Sequence, residues 1–348
     1  QAVVEGLDVG GAPVVSHPGA HATVVCAVNQ VIDKADGMIV LRHTNLLADF
    51  STWASARSMR NVSCLSTRFV TREQQRLVEE LVNRPLSKAV RPLNKARILL
   101  CGSDFKRLRG DSWMNDELIN AFAALIDHRG ARREGEPPSH TPPLKAVMFN
   151  TYFFSRLSAR NGCIDYDGVK RCGEKMVLDV MAVDVITVPI NVSSVHWVLV
   201  AIQVGRRQFH FYDSLSVEDS LGTVSLLKQW LHNELEVRLG RDAASEWGVS
   251  KWDVVLDPHL PRQKDGGSCG VFVLAAADLF SLGPPLTFTQ ADIASQRCHV
   301  ALSLFFDSLD VPDDIPRPTS ATGRPPRLLP MTRRCTTMMG RWRTTRTI

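Results

Sequence analysis

The sequence predicts an α+β fold, and three observations carry that prediction. Apolar residues at helical spacing mark two segments, near 71–82 and 115–126. Short β-branched and aromatic runs separated by turn residues begin at Val185. An apolar run from Cys269 to Phe280 then reads as a helix buried on all sides.

The elements follow in order. Residues 1–65 show no sustained period and read as an irregular or weakly ordered extension. Thr71 can cap the first helix while Gln74 reaches back to it. Leu77, Val78, Leu81 and Val82 form its stripe, and Pro85 stops it. Asn115 suits the cap of the second helix, with Asp116 and Glu117 at the positive end of its dipole. Its buried face would be Leu118, Ile119, Phe122, Leu125 and Ile126, and residues 130–143 read as an exposed loop. Strands are expected at Val185–Ile190, Trp197–Gln203, Gln208–Tyr212 and Trp252–Leu256. The second and third flank Val204-Gly205-Arg206-Arg207, a tight hairpin. Helices are expected at Leu221–Leu239 and Thr289–Leu309.

Composition narrows the classes. Of 348 residues, 44% are apolar and 22% charged, enough for a sizeable core. The apolar runs fall far short of the roughly 20 residues of a membrane-spanning helix. Eight cysteines without a C-x-x-C pair read as reduced thiols of a nuclear or cytoplasmic protein. The net charge of +5 belongs to the end of the chain, because residues 311–348 hold eight Arg and two Asp. That Arg/Pro/Thr-rich tail reads as disordered, and the nearly neutral remainder gives no argument for nucleic-acid binding.

The segment carrying chemistry runs from Pro261 to Phe272. A glycine-rich turn delivers Cys269 to the start of the buried helix. Unpaired N–H groups and the helix dipole favour a thiolate there. The glycines would let a substrate backbone come close. A thiolate nucleophile needs a base, and the base an orienting acceptor. If Gly205 and Arg206 form a two-residue loop, opposite positions sum to 411, and Val198 faces Asp213. His196 and Asp213 are then diagonal neighbours on one face. Taken singly, His196 also reads as a strand-end histidine and Asp213 as a turn residue; their joint placement favours a Cys–His–Asp triad. Gln263, which taken singly reads as a solvated loop glutamine, carries a side-chain amide suited to an oxyanion.

These blocks resemble the ubiquitin-like-specific proteases, the SUMO (sentrin) protease family, over about residues 68–309. The resemblance lies in Trp113-Met114-Asn115-Asp116-Glu117-Leu118-Ile119-Asn120, Phe149 to Phe154, Val188-Pro189-Ile190-Asn191 with His196-Trp197, Tyr212-Asp213-Ser214, and Gln263 through Phe272. It implies a papain-like fold, with a central mixed sheet and a buried helix carrying the nucleophile, over residues 66–310. By the resemblance Cys269 is nucleophile, His196 base, Asp213 its orienting carboxylate and Gln263 oxyanion donor. Trp113 and Trp197 would close a tunnel over the modifier's Gly-Gly tail, and Asp116 and Tyr152 would touch its body. Ser268, Asp265 and Cys172 depart from the family pattern, which often has Asp, Asn and Trp there.

The resemblance thus implies a thiol protease that processes or deconjugates SUMO. The implied partners are SUMO and its conjugates, with no cofactor, no metal and a monomeric enzyme. Three other readings stay open: a protease for another ubiquitin-like modifier, an acyltransferase with the same triad order, and a non-catalytic modifier-binding module. The paired tryptophans argue against the acyltransferase, and an intact triad against the binding module.

Overall fold

The computed structural model describes residues 29–32 and 39–42 and, with short gaps, 70–312. The predicted tail, apart from its first two residues, lies outside the described residues, as does most of the predicted N-terminal extension. The extension contains an antiparallel ribbon of β1 (Asn29–Ile32) and β2 (Ile39–Arg42). Four-residue strands are too short to leave a readable period.

Helix α1 (Arg72–Val82) begins with the expected capping box: Gln74 N–H donates to Thr71 Oγ1 (3.2 Å), and Thr71 N–H donates to Gln74 Oε1 (2.9 Å). A small ribbon, β3 (Ala89–Pro92) and β4 (Leu99–Cys101), leads into the one-turn helix α2 (Gly102–Lys106). Helix α3 spans Asp116–Glu134. It runs past Gly130, where the sequence predicts the start of a loop. A Cβ at Gly130 would lie only 2.9 Å from the Ala146 carbonyl oxygen, so the glycine lets the helix continue against a neighbouring strand.

That strand, β5 (Ala146–Met148), starts the central sheet. Short helices α4 (Tyr152–Leu157) and α5 (Tyr166–Lys175) follow, then β6 (Val185–Val192), β7 (His196–Gln203) and β8 (Gln208–Tyr212). Helices α6 (Ser220–Leu239) and α7 (Arg241–Trp247) precede β9 (Asp253–Val255). The order is β5-β6-β7-β8-β9, with the two outer pairs parallel and the inner pairs antiparallel, so the sheet is mixed as expected. Helices α8 (Cys269–Leu282) and α9 (Ile293–Phe306) complete the chain. The last helix is shorter than predicted. Thr289 caps a 3₁₀ turn ahead of it, and Asp307, at φ 54°, closes it.

Strand alternation divides the interior into two cores. Leu199 and Ala201 of β7 face a core with α8, α3 and α9, while Val198, Val200 and Ile202 face the other. With both faces covered, β7 reads as one continuous apolar run. In the second core Trp230 is fully buried and meets Phe149 and Phe153 edge-on, at 5.3 and 5.1 Å between ring centroids. Half-buried Cys172 packs beside this core. Val311 is buried in the first core, and Gln74 Nε2 donates to the Pro312 carbonyl (2.9 Å). Packing therefore continues two residues past the predicted boundary. Among the described residues no helix is long and apolar enough to cross a membrane.

Candidate active site

The hairpin has the register of a two-residue loop. Gln203 pairs with Gln208 and Leu199 with Tyr212, so opposite positions sum to 411. One step past the last pair, Asp213 leaves the sheet beside the start of β7. His196 Nε2 lies 2.8 Å from Asp213 Oδ1, and the Leu215 N–H donates to the same oxygen at 2.7 Å. With Nε2 occupied, Nδ1 is the ring nitrogen left for Cys269. The carboxylate thus fixes the orientation of the ring.

Cys269 is the first residue of α8, following the N-cap Ser268, and only 3% of its surface is exposed. Burial pushes its thiol up. The hydrogen bond with His196, the main-chain N–H groups of Trp197 and Gly270 and the imidazolium charge outweigh burial, and the net shift is downward. His196 is pushed up to about 9, first by its bond to Asp213 and next by its bond to Cys269. Both shifts favour a thiolate–imidazolium pair.

This pair sets an expected pH dependence. Attack by such a pair needs the thiolate, and protonation of a leaving group needs the imidazolium. Raising the pH through about 9 deprotonates His196, so kcat/KM falls on the alkaline side. The acid limb lies below the ordinary thiol value. Asp213→Asn removes the largest upward influence on His196 and moves the alkaline limb to lower pH. Profiles of kcat/KM for both proteins test this; an unmoved limb would contradict the assignment.

The end of β8 grips the segment that leads to Cys269, residue by residue. Tyr212 O–H donates to the Pro261 carbonyl at 2.8 Å, and Arg262 Nη1 to the Asp213 carbonyl at 3.5 Å. Gln263 N–H donates to the Ser214 carbonyl at 3.0 Å. Gln263 is itself buried, with its amide nitrogen donating to the Asp265 carbonyl at 2.7 Å.

The tryptophans occupy different environments. Trp197 is buried (4% exposed) and its Nε1 donates to the Met114 carbonyl at 3.1 Å. Trp113 is 47% exposed, and its Nε1 donates to the Gly266 carbonyl at 2.8 Å. Both indoles therefore tie the loop before α3 to the elements that carry His196 and Cys269. Tyr152, half exposed, is pushed up by partial burial and then by Asp116 and Glu117. Asp116 and Tyr152 thus share one acidic and aromatic surface. Glu117, legible in the sequence only as a helix-start residue, belongs to it too.

Residues 112–308 match the model of the Ulp1 protease family, C-terminal catalytic domain. The chain belongs to the Ulp1 protease family. It is 28% identical over 231 residues to the ubiquitin-like-specific protease ESD4 of Arabidopsis thaliana, covering 66% of this chain and 45% of that one. It is 30% identical over 200 residues to a sentrin-specific protease of Caenorhabditis elegans, covering 58% of this chain and 26% of that one. The chain spans less than two thirds of the length of the curated relatives it matches. Among solved structures it is similar to the Ulp1 protease domain in complex with Smt3, the yeast ortholog of SUMO. The TM-score there is 0.57 at 25% identity, covering 70% of this chain and 98% of that one.

Two departures from the Ulp1 family pattern lie in one network. Asp265 Oδ1 accepts from the N–H groups of Gly267 (3.0 Å) and Ser268 (2.8 Å). Asp265 Oδ2 accepts from Ser268 Oγ (2.8 Å) and Gln290 Nε2 (2.7 Å). Arg297 of α9, which the sequence reading missed, completes it. This guanidinium is buried and donates to the carbonyls of Arg107, Ser112 and Gly267 and to Ser268 Oγ. A signal for Arg297 existed: it shares the helical stripe of Ile293, Val300 and Leu304, a charge on a core face. Among the described residues no group of His, Cys, Asp and Glu is arranged to hold a metal ion.

Proposed function

We propose that this chain is a cysteine protease that hydrolyses the bond after the C-terminal Gly-Gly of SUMO, maturing its precursor or releasing it from conjugates. The observation that carries the reading is the meeting of Cys269, His196 and Asp213 at the N-terminus of α8. The relatives named for ubiquitin-like and sentrin-specific proteolysis support the substrate class.

In this mechanism the Cys269 thiolate attacks the glycine carbonyl and forms a C–S bond. The carbonyl π electrons move to oxygen, where the Gln263 amide and main-chain N–H groups hold the oxyanion. The C–N bond then breaks, and the amine departs with the proton from His196. Water adds to the thioester while His196 takes its proton. The thiolate is expelled and the modifier leaves with a free carboxylate. Asp213 stays ionised and holds the ring. Trp113 and Trp197 flank the glycine tail, where only residues without side chains fit, and Asp116 and Tyr152 receive the body of the modifier.

In this reading the catalytic unit is the expected 66–310 together with Val311 and Pro312, which pack against it. Three described cysteines, Cys172, Cys269 and Cys298, are free thiols, which supports a reducing nuclear or cytoplasmic setting. The test is cleavage of SUMO and ubiquitin precursors by the purified chain. SUMO precursor is expected to be cut after Gly-Gly with the higher kcat/KM. Turnover of ubiquitin alone, or of neither, would overturn the proposal.

A further inference from the structure

We propose that Ser214 is a positioning residue that holds the Gln263 amide with its N–H side toward the oxyanion. The inference rests on the protease reading above and adds a residue to its machinery. A side-chain amide is nearly symmetric in shape, and its two ends are told apart only by hydrogen bonds. An oxyanion donor must present nitrogen; the oxygen in its place would repel the developing charge.

Ser214 is only 2% exposed, and its hydroxyl donates to Gln263 Oε1 at 2.6 Å. Its carbonyl accepts the Gln263 main-chain N–H at 3.0 Å. Ser214 therefore holds both the backbone and the oxygen end of the same glutamine. The Asp265 carbonyl takes one proton of Gln263 Nε2 and leaves the other for the substrate. A donor on Oε1 also draws electron density toward the oxygen, which strengthens the remaining N–H as a donor. Asp213 orients the base and the next residue orients the oxyanion donor, so one strand end aligns both halves of the reaction.

The experiment is a double-mutant cycle on a SUMO-tail amide substrate, with kcat, KM and the unfolding midpoint measured for wild type, Ser214→Ala, Gln263→Ala and the double variant. Gln263→Ala is expected to lower kcat by on the order of 10²–10³. Ser214→Ala is expected to lower kcat about tenfold, the loss of one well-formed hydrogen bond, with KM within about twofold. In the Gln263→Ala background the serine change is expected to add less than about twofold, because its only route to the reaction is gone. A silent Ser214→Ala, or penalties that multiply in the double variant, would overturn the inference while the protease reading stands. An inactive wild type would overturn both.

Discussion

Cys269→Ala reduces hydrolysis to background, a fall on the order of 10⁶ in kcat if the triad acts as one unit. In the proposed mechanism the substitution removes the one atom of the chain that bonds to the substrate. It leaves His196, Asp213 and Gln263 in place, and the fold changes little because a small buried side chain is replaced by a smaller one. A SUMO carrying an electrophile at its C-terminal carbon labels the wild-type chain once, and the adduct disappears in Cys269→Ala. Among the other described thiols, Cys298 is a poor candidate. Cys298 is pushed up by burial and then by the Glu79 carboxylate, the opposite direction from Cys269. Mass spectrometry of the adduct and stopped assays of both proteins provide the check. A label that persists in the alanine variant would move the nucleophile elsewhere.

Gly267→Ala is the second large effect, and it acts on stability and activity together. From sequence alone, the turn's glycines are expected to admit a substrate backbone. The structure assigns Gly267 a different one. A Cβ there would overlap the Asp111 carbonyl oxygen and press on the Trp113 ring, 3.3 Å from its Cδ1. The obstruction is backbone, which cannot turn aside as a side chain can. Gly267 does not adopt a positive φ, so the requirement is for space and not for conformation. Separating the two loops would strain the Arg297 bonds to the Ser112 and Gly267 carbonyls, and the Trp113 bond to Gly266.

Overpacking of this kind typically costs about 1–3 kcal/mol. In a domain of this size each kcal/mol lowers Tm by about 2–4 °C. Activity should fall by about 100-fold or more, since a shift of roughly 1 Å in the nucleophile carries that penalty. Gly266→Ala is the control, because a Cβ there meets nothing within 4 Å. Thermal unfolding and kcat/KM of the two variants decide the matter. A Gly267→Ala protein as stable and active as the Gly266→Ala protein would sink the argument.

The sequence by itself determined what depends on local repetition. A two-residue loop fixes strand parity, so His196 and Asp213 could be brought together by arithmetic on 17 intervening steps. An apolar run after a glycine turn set Cys269 at a helix start for the same reason, because helix and strand periods are written in neighbouring residues. Tertiary structure alone decided contacts with no period behind them. Ser214 meets Gln263 across 49 residues, Trp113 meets Gly266 across 153, and Arg297 reaches Ser112 across 185. Whether Gly130 breaks a helix or packs one, and whether Gly267 makes room for substrate or for its own chain, depends on which backbone arrives from a distance. A glycine records only that something comes close; the folded chain supplies what that something is.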